Sequence, residues 1–221
     1  MDAEREQVIA RIRRSGIIAI VRGVAPDDLV PLAQALLAGG VELMELPLDQ
    51  THPDSFLQTA ESIRRLTEVL GDRMDFGAGT VLTEAQAALT GDAGARFVLA
   101  PDTNEAVIRR ARERGMVVIP GAMTPSEITA AHRAGADMVK LFPASSLGVT
   151  YIRAVSTPLA HIPLLAMGGI TAENIAAYAA AGVVGFGIAG ALIDRAAIAR
   201  GDFGAITDRA RRLVQALHPS V

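Results

Sequence analysis

Of the 21 basic residues in this 221-residue chain, one is lysine. Lys140 lies in the apolar run Ala136-Asp-Met-Val-Lys-Leu-Phe-Pro143, where a strand is expected and a charge is not. A desolvated lysine can shed its proton and attack a carbonyl carbon to form a Schiff base, whereas a guanidinium stays protonated and cannot. The chemistry open to Lys140 is therefore covalent. The competing account is a lysine that snorkels from a strand end or pairs with a buried acid, and for one lysine taken alone that account is the commoner. A carboxylate (Glu45) and a guanidinium (Arg22), each closing an apolar run of its own, become relevant only if the fold brings the runs together.

Composition removes other chemistries. A net charge of −3 with pI near 5.8 offers no basic field of the kind nucleic-acid binding relies on. With no cysteine there is no disulfide or thiolate site. His52, His132, His161 and His218 are scattered without ligand-like spacing, so a metal is not expected. The start, Met-Asp-Ala-Glu-Arg-Glu-Gln, is charged where a secretory signal requires an apolar stretch, and the expectation is a cytoplasmic protein. Ile175 to Ile193 carries no charge, yet Gly182, Gly185, Gly187 and Gly190 divide it into helix, buried strand and loop, so no membrane span is expected.

The elements that must position Lys140 recur along the chain. Eight short apolar runs read as strands: Ile17 to Val21, Val41 to Leu46, Met74 to Ala78, Arg96 to Leu99, Val117 to Ile119, Asp137 to Leu141, Pro163 to Met167 and Val183 to Ile188. Alanine-rich helical stretches separate them. The first has Leu29, Leu32, Ala33, Leu36 and Leu37 at helical spacing before Gly39-Gly40. Capping boxes are expected at Thr83 with Gln86, Asp102 with Glu105, and Thr124 with Glu127. Gly94, Gly115, Gly135 and Gly182 mark helix ends. Unbroken apolar strands alternating with helices imply a parallel sheet covered by helices. A doubly wound sheet shares these signals, but no Gly-x-Gly-x-x-Gly follows the first strand and no Walker loop appears, which favours an α/β fold of the (β/α)8 TIM-barrel type, with residues 1–221 as one domain. Residues 3 to 15, through Val8, Ile9 and Ile12, form a short N-terminal helix expected to lid the N-terminal mouth.

In such barrels the chemistry gathers at the C-terminal strand ends. Those ends carry Arg22, Glu45, Thr80, Pro101, Pro120 and Lys140, then Gly168-Gly169 after the seventh strand and the Gly187 to Gly190 loop after the eighth. Each has a plain structural use: Glu45 as counter-charge, Thr80 as helix cap, the glycines as turns. Their joint placement raises the functional account above the structural one.

Val-Glu-Leu-Met-Glu-Leu-Pro-Leu around Glu45, Gly77-Ala-Gly-Thr-Val81, Pro120-Gly121, Val139-Lys-Leu-Phe-Pro143 and Gly168-Gly-Ile170 occur in the order found in the 2-keto-3-deoxy-phosphogluconate (KDPG) aldolase family, which the chain resembles along nearly its whole length. Ile18-Ala-Ile-Val-Arg-Gly23, Phe142-Pro-Ala-Ser-Ser146 and Tyr151-Ile-Arg153 look most like members acting on 2-keto-3-deoxy-6-phosphogalactonate. The resemblance implies a class I, metal-independent aldolase without cofactor, usually a homotrimer, that releases pyruvate from a small 2-keto-3-deoxy sugar acid phosphate. It implies Lys140 as Schiff-base nucleophile and Glu45 as general base. Arg22 and Thr80 would hold the substrate carboxylate, Phe142 would wall the imine, Pro101 and Met167 would line the site, and Gly168, Gly169, Ala189 and Gly190 would bind phosphate through backbone amides.

Three positions depart from the family pattern. Met167 replaces the threonine of phosphogluconate-type members and favours the galactonate-type substrate. Asp49 brings a negative charge near the carboxylate pocket unless it points outward. Gly190 replaces a serine that donates to phosphate, so a shorter or unphosphorylated substrate stays open. Two alternatives accompany the leading function: phosphogluconate or 4-hydroxy-2-oxoglutarate as substrate with the same chemistry, and a non-catalytic phosphosugar-binding barrel.

Overall fold

The computed structural model describes residues 3–219. After a first helix, α1 (Ala3–Ser15), come β1 (Ile17–Ile20), α2 (Leu29–Ala38), β2 (Leu43–Pro47), α3 (Phe56–Leu70), β3 (Asp75–Gly79), α4 (Glu84–Asp92), β4 (Phe97–Leu99), α5 (Glu105–Glu113) and β5 (Val117–Ile119). A two-residue β6 (Gly121–Ala122) follows, then α6 (Pro125–Arg133), β7 (Val139–Leu141), α7 (Ala144–Ser156, kinked at Gly148), β8 (Leu164–Met167), α8 (Ile175–Ala179), β9 (Gly185–Ile188), α9 (Arg195–Ala199) and α10 (Phe203–Leu217).

All strand pairs are parallel, in the order β5-β4-β3-β2-β1-β9-β8-β7-β6. All eight expected strands are present, and the fifth is split by Pro120. With no N–H to give to a ladder, proline interrupts the strand, so β5 pairs with β4 and β6 with β7. Hydrogen bonds from Asp137 N to Val118 O (3.0 Å) and from Lys140 N to Pro120 O (2.8 Å) bridge the break, and the sheet comes round as a barrel.

Strand alternation sorts the side chains into two cores. One set packs outward against the helices, including Ala19, Met44, Phe76, Val98 and Val139. The other fills the barrel: Ile18, Ile20, Leu43, Phe97, Leu99, Val117, Ile119, Met138, Leu165 and Met167. Val8 and Ile12 of α1 belong to this inner cluster and Ile9 packs against it, so α1 closes the N-terminal mouth as expected. Ion pairs fasten it there: Arg5 to Asp137, Arg11 to the buried Asp75 (3.3 Å) and Arg14 to Glu42 (2.9 Å). Desolvation raises the Asp75 carboxyl above its ordinary range, and Arg11 and Arg96 oppose the shift.

The capping boxes at Thr83 and Thr124 form. The one expected at Asp102 does not. Asn104 caps α5, its side chain accepting from Ala106 N and Val107 N. Asp102 is held elsewhere, its carbonyl accepting from Gly121 N (3.0 Å). Gly94, Gly115, Gly135 and Gly182 all sit at positive φ beyond helix ends, the left-handed conformation that terminates a helix at least cost in glycine. Along Ile175 to Ile193 the chain forms α8 and β9, and among the described residues no helix is long and apolar enough to cross a membrane.

Candidate active site

The alternation that builds the inner core also brings the chemistry to its upper edge. On β2, Leu43 points into the barrel, and Glu45, two residues on, shares that face. On the sixth barrel strand, Met138 and Lys140 stand in the same relation. Glu45 and Lys140 are 3% and 9% exposed, the only acid and base brought into the barrel interior at this level among the described residues.

Small residues make room for them. A Cβ on Gly79 would overlap the Glu45 carboxylate, and one on Gly77 would overlap the Phe97 ring. Gly77 and Gly79 of β3 thus give way, one to a core aromatic and the other to the acid.

Above them opens a cavity of about 520 Å³ whose wall includes Lys140, Arg22, Thr80, Pro101 and Phe142. The Lys140 ammonium lies 4.6 Å from the centre of the Phe142 ring, a cation–π contact that also makes Phe142 an apolar wall beside the amine. Arg22 is exposed and has no ion-pair partner among the described residues.

The electrostatics suit proton and amine chemistry. Burial raises the Glu45 carboxyl to about 7, the positive charges of Lys140 and Arg22 opposing the shift. Burial lowers Lys140 from the usual lysine range, Arg22 lowering it further while Glu45 and Asp102 oppose. Each group's ordinary charge is thus weakened, the condition under which a carboxylate and an amine exchange protons near neutrality. Glu45 Oε2 is buried without a hydrogen-bond partner among the described residues.

Met167, Gly168, Gly169, Ala189 and Gly190 lie outside the lining of this cavity, whereas Asp49 belongs to it. Met167 is buried in the inner core with its side chain over Gly187. Gly168 and Gly169, at positive φ, pack against Pro143 and Ser145 at the start of α7. Ala189 and Gly190 follow β9, and a Cβ on Gly190 would meet nothing within 4 Å. Asp49 is exposed at the rim, and its carboxylate accepts from Thr51 N (2.9 Å) and Thr51 Oγ1 (2.6 Å) and bonds His52 Nδ1 (3.0 Å). Those bonds hold its carboxyl down at about 2, so the cavity lining carries a negative charge at this point.

Gln50, Gln58, Thr59 and Ser62 also line the cavity without standing among the strand-end residues expected from sequence. Gln50 lies two residues beyond Leu48 in the polar run Asp49-Gln-Thr-His52, and that polarity directly after a strand was the available signal. The others come from α3, whose inner face leans over the opening.

A desolvated amine in the wall of a cavity at the C-terminal end of a parallel barrel, with a buried acid close by, is the arrangement that Schiff-base chemistry requires. A family model for KDPG and KHG aldolases matches residues 8–209. The chain is 38% identical over 177 residues to the probable 2-dehydro-3-deoxy-6-phosphogalactonate aldolase of Rhizobium meliloti, covering 80% of this chain and 81% of that protein. A solved structure described as native KDPGal superposes with a TM-score of 0.81 at 33% identity, over 90% of this chain and 93% of that one. A Legionella pneumophila KDPG aldolase, with pyruvate captured at low pH as a covalent carbinolamine intermediate, gives a TM-score of 0.80 at 25% identity, over 92% and 96%. The chain belongs to the KDPG and KHG aldolase family.

Proposed function

We propose that this chain is a class I aldolase that cleaves 2-dehydro-3-deoxy-6-phosphogalactonate to pyruvate and D-glyceraldehyde 3-phosphate. The observation that carries the reading is the sole lysine of the chain, buried at the cavity floor beside a buried acid with an open oxygen. The Lys140 amine attacks the C2 ketone to give a carbinolamine, which loses water to leave a protonated imine. Glu45 takes the C4 hydroxyl proton, the C3–C4 bond breaks, and its electron pair moves into the imine as an enamine while the aldehyde departs. Protonation at C3 and hydrolysis of the imine release pyruvate and restore the amine. Arg22 and Thr80 bind the substrate carboxylate, a planar anion suited to a guanidinium. Phe142 and Pro101 form the apolar side of the pocket, and the amides at Gly168, Gly169, Ala189 and Gly190 receive the phosphate.

Met167 favours the galactonate-type epimer over phosphogluconate, since a thioether cannot donate to a substrate hydroxyl. We infer a cytoplasmic homotrimer, with residues 1–221 of each protomer forming one domain. The test is borohydride reduction in the presence of pyruvate, followed by intact and peptide mass spectrometry. A pyruvyl adduct on Lys140, absent from Lys140→Arg, supports the mechanism. Pyruvate binding without an adduct would overturn it in favour of a non-catalytic barrel. Cleavage rates on the two C4 epimers then decide the substrate.

A further inference from the structure

Thr80 is the one non-glycine residue with positive φ among the described residues, at 55°. A β-branched side chain in the left-handed region is strained and persists only where the surroundings over-determine it. The bonds that determine it form a relay across three segments. Gln50 Nε2, from the loop after β2, donates to Thr80 O at 2.8 Å. Gln86 Nε2, from the first turn of α4, donates to Gln50 Oε1 at 2.9 Å. Gln86 Oε1 accepts from Leu82 N at 2.7 Å and Thr83 N at 3.2 Å.

The chemistry of the far end orients the whole chain. Backbone N–H groups can only donate, so the oxygen of Gln86 must face them and its NH₂ must face Gln50. Gln50 must then present its own NH₂ to Thr80. Gln86 is 7% exposed and lies outside the cavity lining, whereas Gln50 and Thr80 both belong to it. A buried helix cap thus fixes a strained residue on the cavity wall. The flanks are pinned separately, Leu48 N donating to Gly79 O (2.8 Å) and Val81 N to Leu99 O (3.1 Å), so the relay acts on Thr80 itself.

We propose that Gln50 and Gln86 are positioning residues for the substrate carboxylate, holding Thr80 in its left-handed conformation so that its hydroxyl and N–H face the anion. This rests on the aldolase reading, in which Thr80 binds that carboxylate. Two variants cut the relay at different places. Gln50→Met keeps the length of the side chain and removes the donor to Thr80. Gln86→Glu keeps the acceptors for Leu82 N and Thr83 N, and so the helix cap, but offers Gln50 no donor. Gln50 must then turn its amide toward the new carboxylate and present its oxygen to the Thr80 carbonyl.

Both variants are assayed in the synthetic direction with pyruvate and D-glyceraldehyde 3-phosphate. The expected result is a rise of about tenfold in the pyruvate KM, with the aldehyde KM and the Lys140 adduct at saturating pyruvate unchanged, since only the carboxylate end of the pocket is loosened. A folded Gln50→Met protein with the parent's pyruvate KM would overturn the proposal. So would a parallel rise in both KM values, which marks general loosening. Absence of the Lys140 adduct in the parent protein would instead bring down the aldolase reading itself.

Discussion

The Glu45 carboxylate occupies the space that a side chain on Gly79 would need. The two residues lie on adjacent strands, where the register sets Glu45 opposite Gly77 and Pro47 opposite Gly79, so the acid leans along β3 toward the cavity. Gly79→Ala should therefore displace Glu45 without touching Lys140. If general base catalysis contributes the usual factor of about 10²–10⁴, kcat for cleavage falls by at least about a hundredfold. Pyruvate trapping on Lys140 survives in the same protein. Retention of parental kcat would mean that Glu45 does not act from this position.

The raised Glu45 carboxyl makes a second prediction through pH. A base must be ionised to accept a proton, and with its pKa near 7 Glu45 loses that capacity as pH falls below neutrality. In the parent, kcat/KM should drop about tenfold per pH unit on the acid side of 7, and residual activity of Glu45→Gln should lack that limb. Stability has the opposite sense. The folded carboxyl holds its proton to a higher pH than the ordinary value of 4.5, so its contribution is complete below about 4.5 and is lost as pH rises through about 7. Melting temperatures of parent and Glu45→Gln should accordingly diverge in favour of the variant as pH rises from about 5 to about 8.

Much of this site was legible before the fold was known, for reasons that differ by residue. Lys140 stood out because its charge interrupts an apolar strand in a chain that otherwise uses arginine, and Glu45 because it falls at the C-terminal end of the second strand, where barrel chemistry gathers. The short strand beyond Pro120 was not expected, since only the closing of the barrel shows that Gly121 and Ala122 pair with β7. Asp102 and Asn104 are both able caps two residues apart, and Asp102 even has Glu105 at capping-box spacing. Asn104 prevails because a long-range bond to Gly121 holds the Asp102 carbonyl outside the helix. The Gln86–Gln50–Thr80 relay was illegible for the same kind of reason. It joins segments 30 and 36 residues apart, and the conformation it enforces falls on a threonine where local rules would call for glycine.

Gly190 offers a test of the phosphate end. A Cβ there meets nothing within 4 Å and its φ lies outside the left-handed region, so a larger residue enters without strain. Under the phosphate reading, Gly190→Ser adds a hydroxyl donor to an anion, a bond worth about 1.5–3 kcal/mol. The KM for the phosphorylated substrate should fall about tenfold or more, by the usual 1.4 kcal/mol per decade, while that for an unphosphorylated 2-keto-3-deoxy acid stays put. Equal KM values in parent and variant for the phosphorylated substrate would place its phosphate elsewhere.

The last prediction separates what holds the barrel together from what works at its mouth. Ile12 of α1 is fully buried in the inner cluster with Leu43, Val117 and Met138, at the N-terminal end, whereas Lys140 and Glu45 lie at the C-terminal edge of the same column. Truncation in a packed core removes the transfer free energy of the lost methyl groups and leaves a cavity, together about 2–5 kcal/mol for Ile→Ala. Chemistry at the other end depends on the register of β2 and β7, and those strands are held by their own ladders to β1, β3, β6 and β8. Ile12→Ala should thus lower the unfolding free energy by that amount, read from denaturant titration, while kcat, assayed where the variant is fully folded, stays within about twofold of the parent. A large fall in kcat in the folded variant would show instead that the lid sets the depth at which Glu45 and Lys140 sit, because disturbance of the inner cluster would then be transmitted through Met138, two residues below the lysine on the same inward face.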